Sequence, residues 1–151
     1  MPHLKVQVYV FTNTKPQRYL LLRYHDEKGG YWQPVTGSVE GDESLRDAAL
    51  REAREETGVT GRAGDLVESG YAFDFHSYGK DRRESVFGLR ASAARDGAPP
   101  PVTLSREHQA FRWCTFEEAL SLLRWDSNKE GLRSLAERLV EAPRQSRETR
   151  E

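Results

Sequence analysis

The chain has one cysteine, Cys114, in 151 residues. No disulfide can close within it, and the setting this implies is a reducing, cytoplasmic one. It also lacks a charge excess: 23 Lys and Arg stand against 24 Asp and Glu. That balance gives no support to a nucleic-acid footprint made of bulk positive charge, so nucleic acid is not an expected partner. The N-terminus shows no signal-peptide pattern, and no apolar run approaches the roughly 20 residues that span a bilayer, so no membrane partner is expected. There is no internal repeat. What is plentiful is charge of both signs, 31% of residues, as on an ordinary soluble surface. The length suits one domain with a real core, expected over residues 1–142, followed by a polar, disordered tail at 143–151 once Pro143 ends the last helix.

Taken in order, Leu4, Val6, Val8 and Val10 alternate with Lys5, Gln7, Tyr9 and Phe11, the period of a strand. A turn at Asn13–Pro16 precedes Leu20-Leu21-Leu22, read as a buried strand and hairpin partner that ends by delivering Arg23. Pro34, within Tyr31–Gly37, argues for an edge or irregular strand. Leu66–His76 is mostly extended, Ser77–Arg83 reads as a polar loop, and Glu84–Ala91 as another strand. Thr115 is an expected N-cap for a helix to about Arg124, and a last helix is expected from about Lys129 to Val140.

The stretch Gly37–Val59 carries the chemistry. Ser44 and Asp47 have capping-box spacing, so a helix should start near Leu45. Gly58 is a natural residue to follow the helix end. Glu52, Glu55 and Glu56 fall at i, i+3 and i+4 on one face, in the last turns, where the helix dipole favours cations. Leu45, Ala48 and Ala49 share that face, so a packed stripe opens into clustered carboxylates. Alone, an Arg-Glu-x-x-Glu-Glu run is what a solvated surface helix carries. If the carboxylates are partly desolvated, they raise one another's pKa or hold a hard cation such as Mg2+ or Mn2+.

Gly37, Glu43, Arg51, Glu52, Ala53, Glu55, Glu56, Gly58 and Val59 match every fixed position of the Nudix box, and the chain resembles the Nudix hydrolases. The resemblance implies an α/β fold, an α/β/α sandwich with a mixed β-sheet, and divalent-metal hydrolysis of a phosphoanhydride. It implies a metal site of Glu52, Glu55, Glu56 and the Gly37 carbonyl, completed by Glu107, with Mg2+ or Mn2+ bound. Glu52 or Glu107 would act as general base. Arg51 is expected to act through geometry, pairing with a box carboxylate such as Glu43.

Trp32-Gln33 followed by Thr36-Gly37-Ser38-Val39-Glu40 is similar to the branch that hydrolyses dihydroneopterin triphosphate and dATP, as is the pair Glu107-His108. That similarity implies a nucleoside or pterin triphosphate substrate, with pyrophosphate released. Arg23, Trp32, Gln33, Thr36 and Asn128 are the candidate substrate contacts. Arg23 could equally be a solvent-facing strand residue, Trp32 a core residue, and His108 a structural one. An inserted Asp126 departs from the branch pattern and loosens the assignment of Asn128. The alternatives are a hydrolase of dinucleoside polyphosphates or another nucleoside-diphosphate compound, and a non-catalytic binding module. The intact glutamates weigh against the last.

Overall fold

The computed structural model describes residues 1–150, with side chains described for 1–140. The chain forms β1 (His3–Thr12), β2 (Tyr19–Tyr24), β3 (Trp32–Gln33), β4 (Val35–Ser38), α1 (Leu45–Thr57), β5 (Leu66–Ser77), β6 (Lys80–Ala91), β7 (His108–Cys114), α2 (Phe116–Leu122) and α3 (Asp126–Arg150). One sheet runs β3-β2-β1-β6-β5, with β4 paired to β1 and β7 to β2. β1 and β6 are parallel and the other pairs antiparallel, so the sheet is mixed.

β1 explains the layering. Its alternation suggests one buried face, yet every residue from Val6 to Thr12 is fully buried. Val6, Val8 and Val10 pack with Ala48, Ala49 and Ala53 of α1. Tyr9 and Phe11 pack with Leu132 and Leu135 of α3 on the other side. A strand covered on both faces builds two cores, and the result is the expected α/β/α sandwich. Each fully buried Leu or Val contributes about 1.5–3 kcal/mol by leaving water.

Several local expectations change. β2 meets β1 only at Phe11↔Tyr19, because β4 takes the rest of that edge and β2 pairs mainly with β7. Pro34 sits where the chain leaves β2 for β1, and its missing N–H suits that break. The polar loop expected at Ser77–Arg83 is instead a two-residue turn: Tyr78 and Gly79 both have positive φ, and β6 already starts at Lys80. Arg83 is held by Asp74 across the hairpin at 2.8 Å, so the Lys80, Arg82 and Arg83 cluster is strand rather than loop.

α2 stops at Leu122. α3 starts at Asp126, earlier than expected, and its assigned bounds pass Pro143. A proline removes one helical hydrogen bond and strains the turn before it, without always ending a helix. The tail expected at 143–151 falls on residues whose side chains lie outside the described residues. Cys114 is buried, and burial pushes its thiol up to about 11. Among the described residues no helix is long and apolar enough to cross a membrane.

Candidate active site

α1 forms as its sequence dictates. Ser44 Oγ accepts from the Asp47 N–H at 3.0 Å, and Gly58 closes the helix in the left-handed conformation with its N–H on the Arg54 carbonyl. The helix therefore presents its glutamates in a fixed order. Glu52 and Glu56, one turn apart, are both buried, while Glu55 is about half exposed at the rim. The three do not share one environment: the i, i+4 pair turns in, and the i+3 residue turns toward solvent.

Gly37, on β4, stands directly against Glu52. A Cβ at that position would overlap the Glu52 carboxyl, so only glycine lets strand and helix approach this closely. Arg51 ties the glutamate side together. Its Nε and Nη2 donate to Glu43 at 2.8 and 2.9 Å, and Nη1 to Glu52 at 2.8 Å and Glu55 at 3.2 Å. Nη2 also donates to the Ser38 carbonyl at 2.9 Å, which links the helix to β4.

The bidentate pair with Arg51 is the main reason the Glu43 carboxyl falls to about 2. Glu43 is therefore depressed below its unfolded value of 4.5. Its contribution to stability is fully present above about pH 4.5 and is lost as pH falls toward about 2. Thermal melting of the native chain and of Glu43→Gln, followed across that window, should show a shallower pH slope for the variant.

Two buried glutamates are pushed in opposite directions. Burial raises Glu52 above the usual carboxylate range, against the pull of Arg51. Burial also acts upward on Glu56, but hydrogen bonds from His108 and Ser105 outweigh it and leave Glu56 lowered. His108 Nδ1 lies 3.0 Å from Glu56 Oε2, and Ser105 Oγ donates to the same oxygen at 2.9 Å. The His108 ring is buried and stacks on Tyr24 with centroids 4.9 Å apart.

Glu107 is exposed and approaches from the loop before β7. One atom each from Glu56, Glu107 and His108 lies within 4.8 Å of the others. Glu107 thus converges on the box helix, joined by a histidine to which the sequence analysis assigned no chemistry. The adjacency of Glu107 and His108 in the sequence is the signal that could have found it. Ser105 and Tyr24 carried no such signal. The carboxylate-rich donor set fits a hard divalent cation. Because Glu107 is exposed, Glu107→Ala should cut turnover at least tenfold with little change in melting temperature. Early melting with a fully active folded fraction would make it structural.

The remaining candidates separate. Arg23 donates to the Gly30 carbonyl at 2.8 Å, fastened to its own loop. Trp32 is half-buried, bridged to Leu123 and packed against the α3-side core. Gln33 is buried, with Nε2 3.4 Å from Thr36 Oγ1. Asn128 is buried in the first turn of α3, and its carbonyl accepts from the Tyr9 hydroxyl at 2.7 Å.

A family model described as the NUDIX domain matches residues 1–135. The chain is 33% identical over 130 residues to an octanoyltransferase of Myxococcus xanthus, which covers 85% of this chain but only 35% of that protein. It is 30% identical over 113 residues to the asymmetrical bis(5'-nucleosyl)-tetraphosphatase of Mus musculus, 75% of each. The solved structure of the Escherichia coli dihydroneopterin triphosphate pyrophosphohydrolase is similar with a TM-score of 0.71 and 25% identity, covering 85% of this chain and 91% of that one.

Proposed function

Because the chain belongs to the Nudix hydrolase family, we propose that it cleaves a phosphoanhydride of a nucleoside or pterin triphosphate, releasing pyrophosphate and a monophosphate. The observation that carries this reading is the buried Glu52 and Glu56 pair, with Gly37 pressed against one and Glu107 reaching the other.

Glu56, Glu55, Glu107 and the Gly37 carbonyl would hold Mg2+ or Mn2+. A bound divalent ion supplies neutralisation of the phosphate oxygens and a more acidic water. The chain's own residues do the rest. His108 and Ser105 fix one oxygen of Glu56. Arg51 holds Glu43, Glu52 and Glu55 in register. Glu52, a buried carboxylate held in place by Arg51, would take the proton of the attacking water. The ring would lie toward Trp32, Gln33, Thr36 and Asn128.

A second reading, asymmetric cleavage of a dinucleoside tetraphosphate, is favoured by the similarity to the mouse tetraphosphatase. Product analysis tests both. With Mg2+, the protein is offered dihydroneopterin triphosphate, dATP, the other nucleoside triphosphates, diadenosine tetraphosphate and a sugar nucleotide, and pyrophosphate and phosphate are counted separately. Monophosphate plus pyrophosphate from a triphosphate supports the first reading. Faster cleavage of diadenosine tetraphosphate replaces it with the second. No hydrolysis of any of them rejects both.

A further inference from the structure

Glu52 and Glu56 are both buried, but different parts of the chain hold them. Arg51 holds Glu52 from the same helix. Glu56 is held from outside α1, by the segment that leads into β7. That segment is stitched to the end of α1. The Thr103 N–H donates to the Thr57 carbonyl at 2.8 Å, and the Ser105 N–H to the Glu56 carbonyl at 3.4 Å. Its other side is stitched to the end of β2. Gln109 Nε2 donates to the Tyr24 carbonyl at 2.8 Å, and His25 Nε2 to the Arg106 carbonyl at 2.9 Å.

A shift of register then decides which side chain meets Glu56. Ala110 pairs with Arg23, but the next residue of β2, Tyr24, pairs with His108 rather than Gln109. The extra residue makes a β-bulge, which re-aims the side chains beside it. In an unbroken ladder Gln109 would stand opposite Tyr24. With the bulge, the His108 ring lies on the Tyr24 ring, 14° from parallel. Tyr24 is met edge-on in turn by Tyr31, with centroids 5.4 Å apart. So placed, His108 Nδ1 comes within 3.0 Å of Glu56 Oε2, the oxygen to which Ser105 Oγ also donates. A carboxylate oxygen accepts, so Nδ1 is the donor and carries the hydrogen. A flipped ring would set a C–H against the carboxylate.

We propose that His108 is a positioning residue: by donating from Nδ1 while stacked on Tyr24, it fixes the Glu56 carboxylate and thereby sets how tightly the site holds its divalent ion. It is not a ligand through that atom, because a ring nitrogen that carries a hydrogen has no lone pair to give. Hydrogen-bond partners of this kind orient ligating carboxylates, and their loss commonly costs about 10- to 100-fold in metal affinity. The inference rests on the metal site of the hydrolase reading and is independent of which phosphoanhydride is cut.

The test measures Mn2+ binding to the full chain without substrate, by calorimetry and by the electron paramagnetic resonance of free Mn2+. His108→Phe keeps a ring for Tyr24 and removes the donor. His108→Asn removes the ring and keeps an N–H one bond beyond Cγ, where Nδ1 stands. Tyr24→Leu leaves the donor and removes its support. His108→Phe should weaken Mn2+ binding about 10- to 100-fold, and His108→Asn should stay within about threefold of native. Tyr24→Leu should fall between. In a Mn2+ titration of turnover, kcat of His108→Phe at saturating metal should fall by a smaller factor than its metal Kd rises.

Melting in EDTA checks that each variant is folded before metal is added. Native affinity in folded His108→Phe, or equal weakening in His108→Phe and His108→Asn, overturns the inference and leaves the metal site standing. Should His108→Phe not fold, weakened binding in Tyr24→Leu beside near-native binding in His108→Asn upholds the inference, and native binding in Tyr24→Leu overturns it. Nitrogen hyperfine coupling to Mn2+ bound by the native chain, absent from His108→Asn, would make His108 a ligand and overturn its positioning role. No Mn2+ bound by the native chain rejects the metal site and the inference with it.

Discussion

Glu56→Gln should abolish nearly all metal-dependent turnover while the chain stays folded. Gln keeps the volume and can still accept from Ser105, so packing around α1 survives. What it loses is the negative charge beside Glu107 and His108. Outer partners of metal ligands commonly cost 10- to 100-fold when removed, and loss of a ligand charge should exceed about 100-fold. Initial rates over a Mg2+ titration check this. A variant with native rate at every Mg2+ concentration would remove Glu56 from the metal site.

The second large effect is Gly37→Ala. The added methyl would overlap the Glu52 carboxyl, and Glu52 cannot simply swing aside because Arg51 holds Oε1 at 2.8 Å. Either β4 moves away from α1 or the carboxylate leaves its place. Overpacking of this kind costs about 1–3 kcal/mol. Turnover should fall by a factor comparable to that of Glu56→Gln, because displacement of a catalytic carboxylate by about 1 Å is enough for a 100-fold loss. The measurements are urea unfolding and steady-state kinetics on the same preparation. Loss of stability with native turnover of the folded fraction would show that the Glu52 position is not needed.

Much of this was legible locally. The limits of α1 are set by Ser44 and Gly58, whose signals lie within a few residues of their effect. The box glutamates were likewise read from spacing on one helix. The alternation in β1 identified a strand but not its burial on both faces, because that depends on α1 and α3, distant in the sequence, packing on opposite sides of it. The turn at Tyr78–Gly79 was hidden because a tyrosine gives little warning of a positive φ. The hydrogen bond between Gln7 and Glu84 was invisible for a related reason: only the register of β1 and β6 brings them together. His108 was named but left without a role, since its bond to Glu56 spans from β7 to α1.

The double covering of β1 has an evolutionary consequence. Side chains that point toward α1 and side chains that point toward α3 belong to separate packed compartments, joined through backbone rather than through shared contacts. Substitutions in well-separated sites tend to add independently. One compartment can therefore repack through substitutions on the α3 side while the packing around the glutamate-bearing helix α1 is retained.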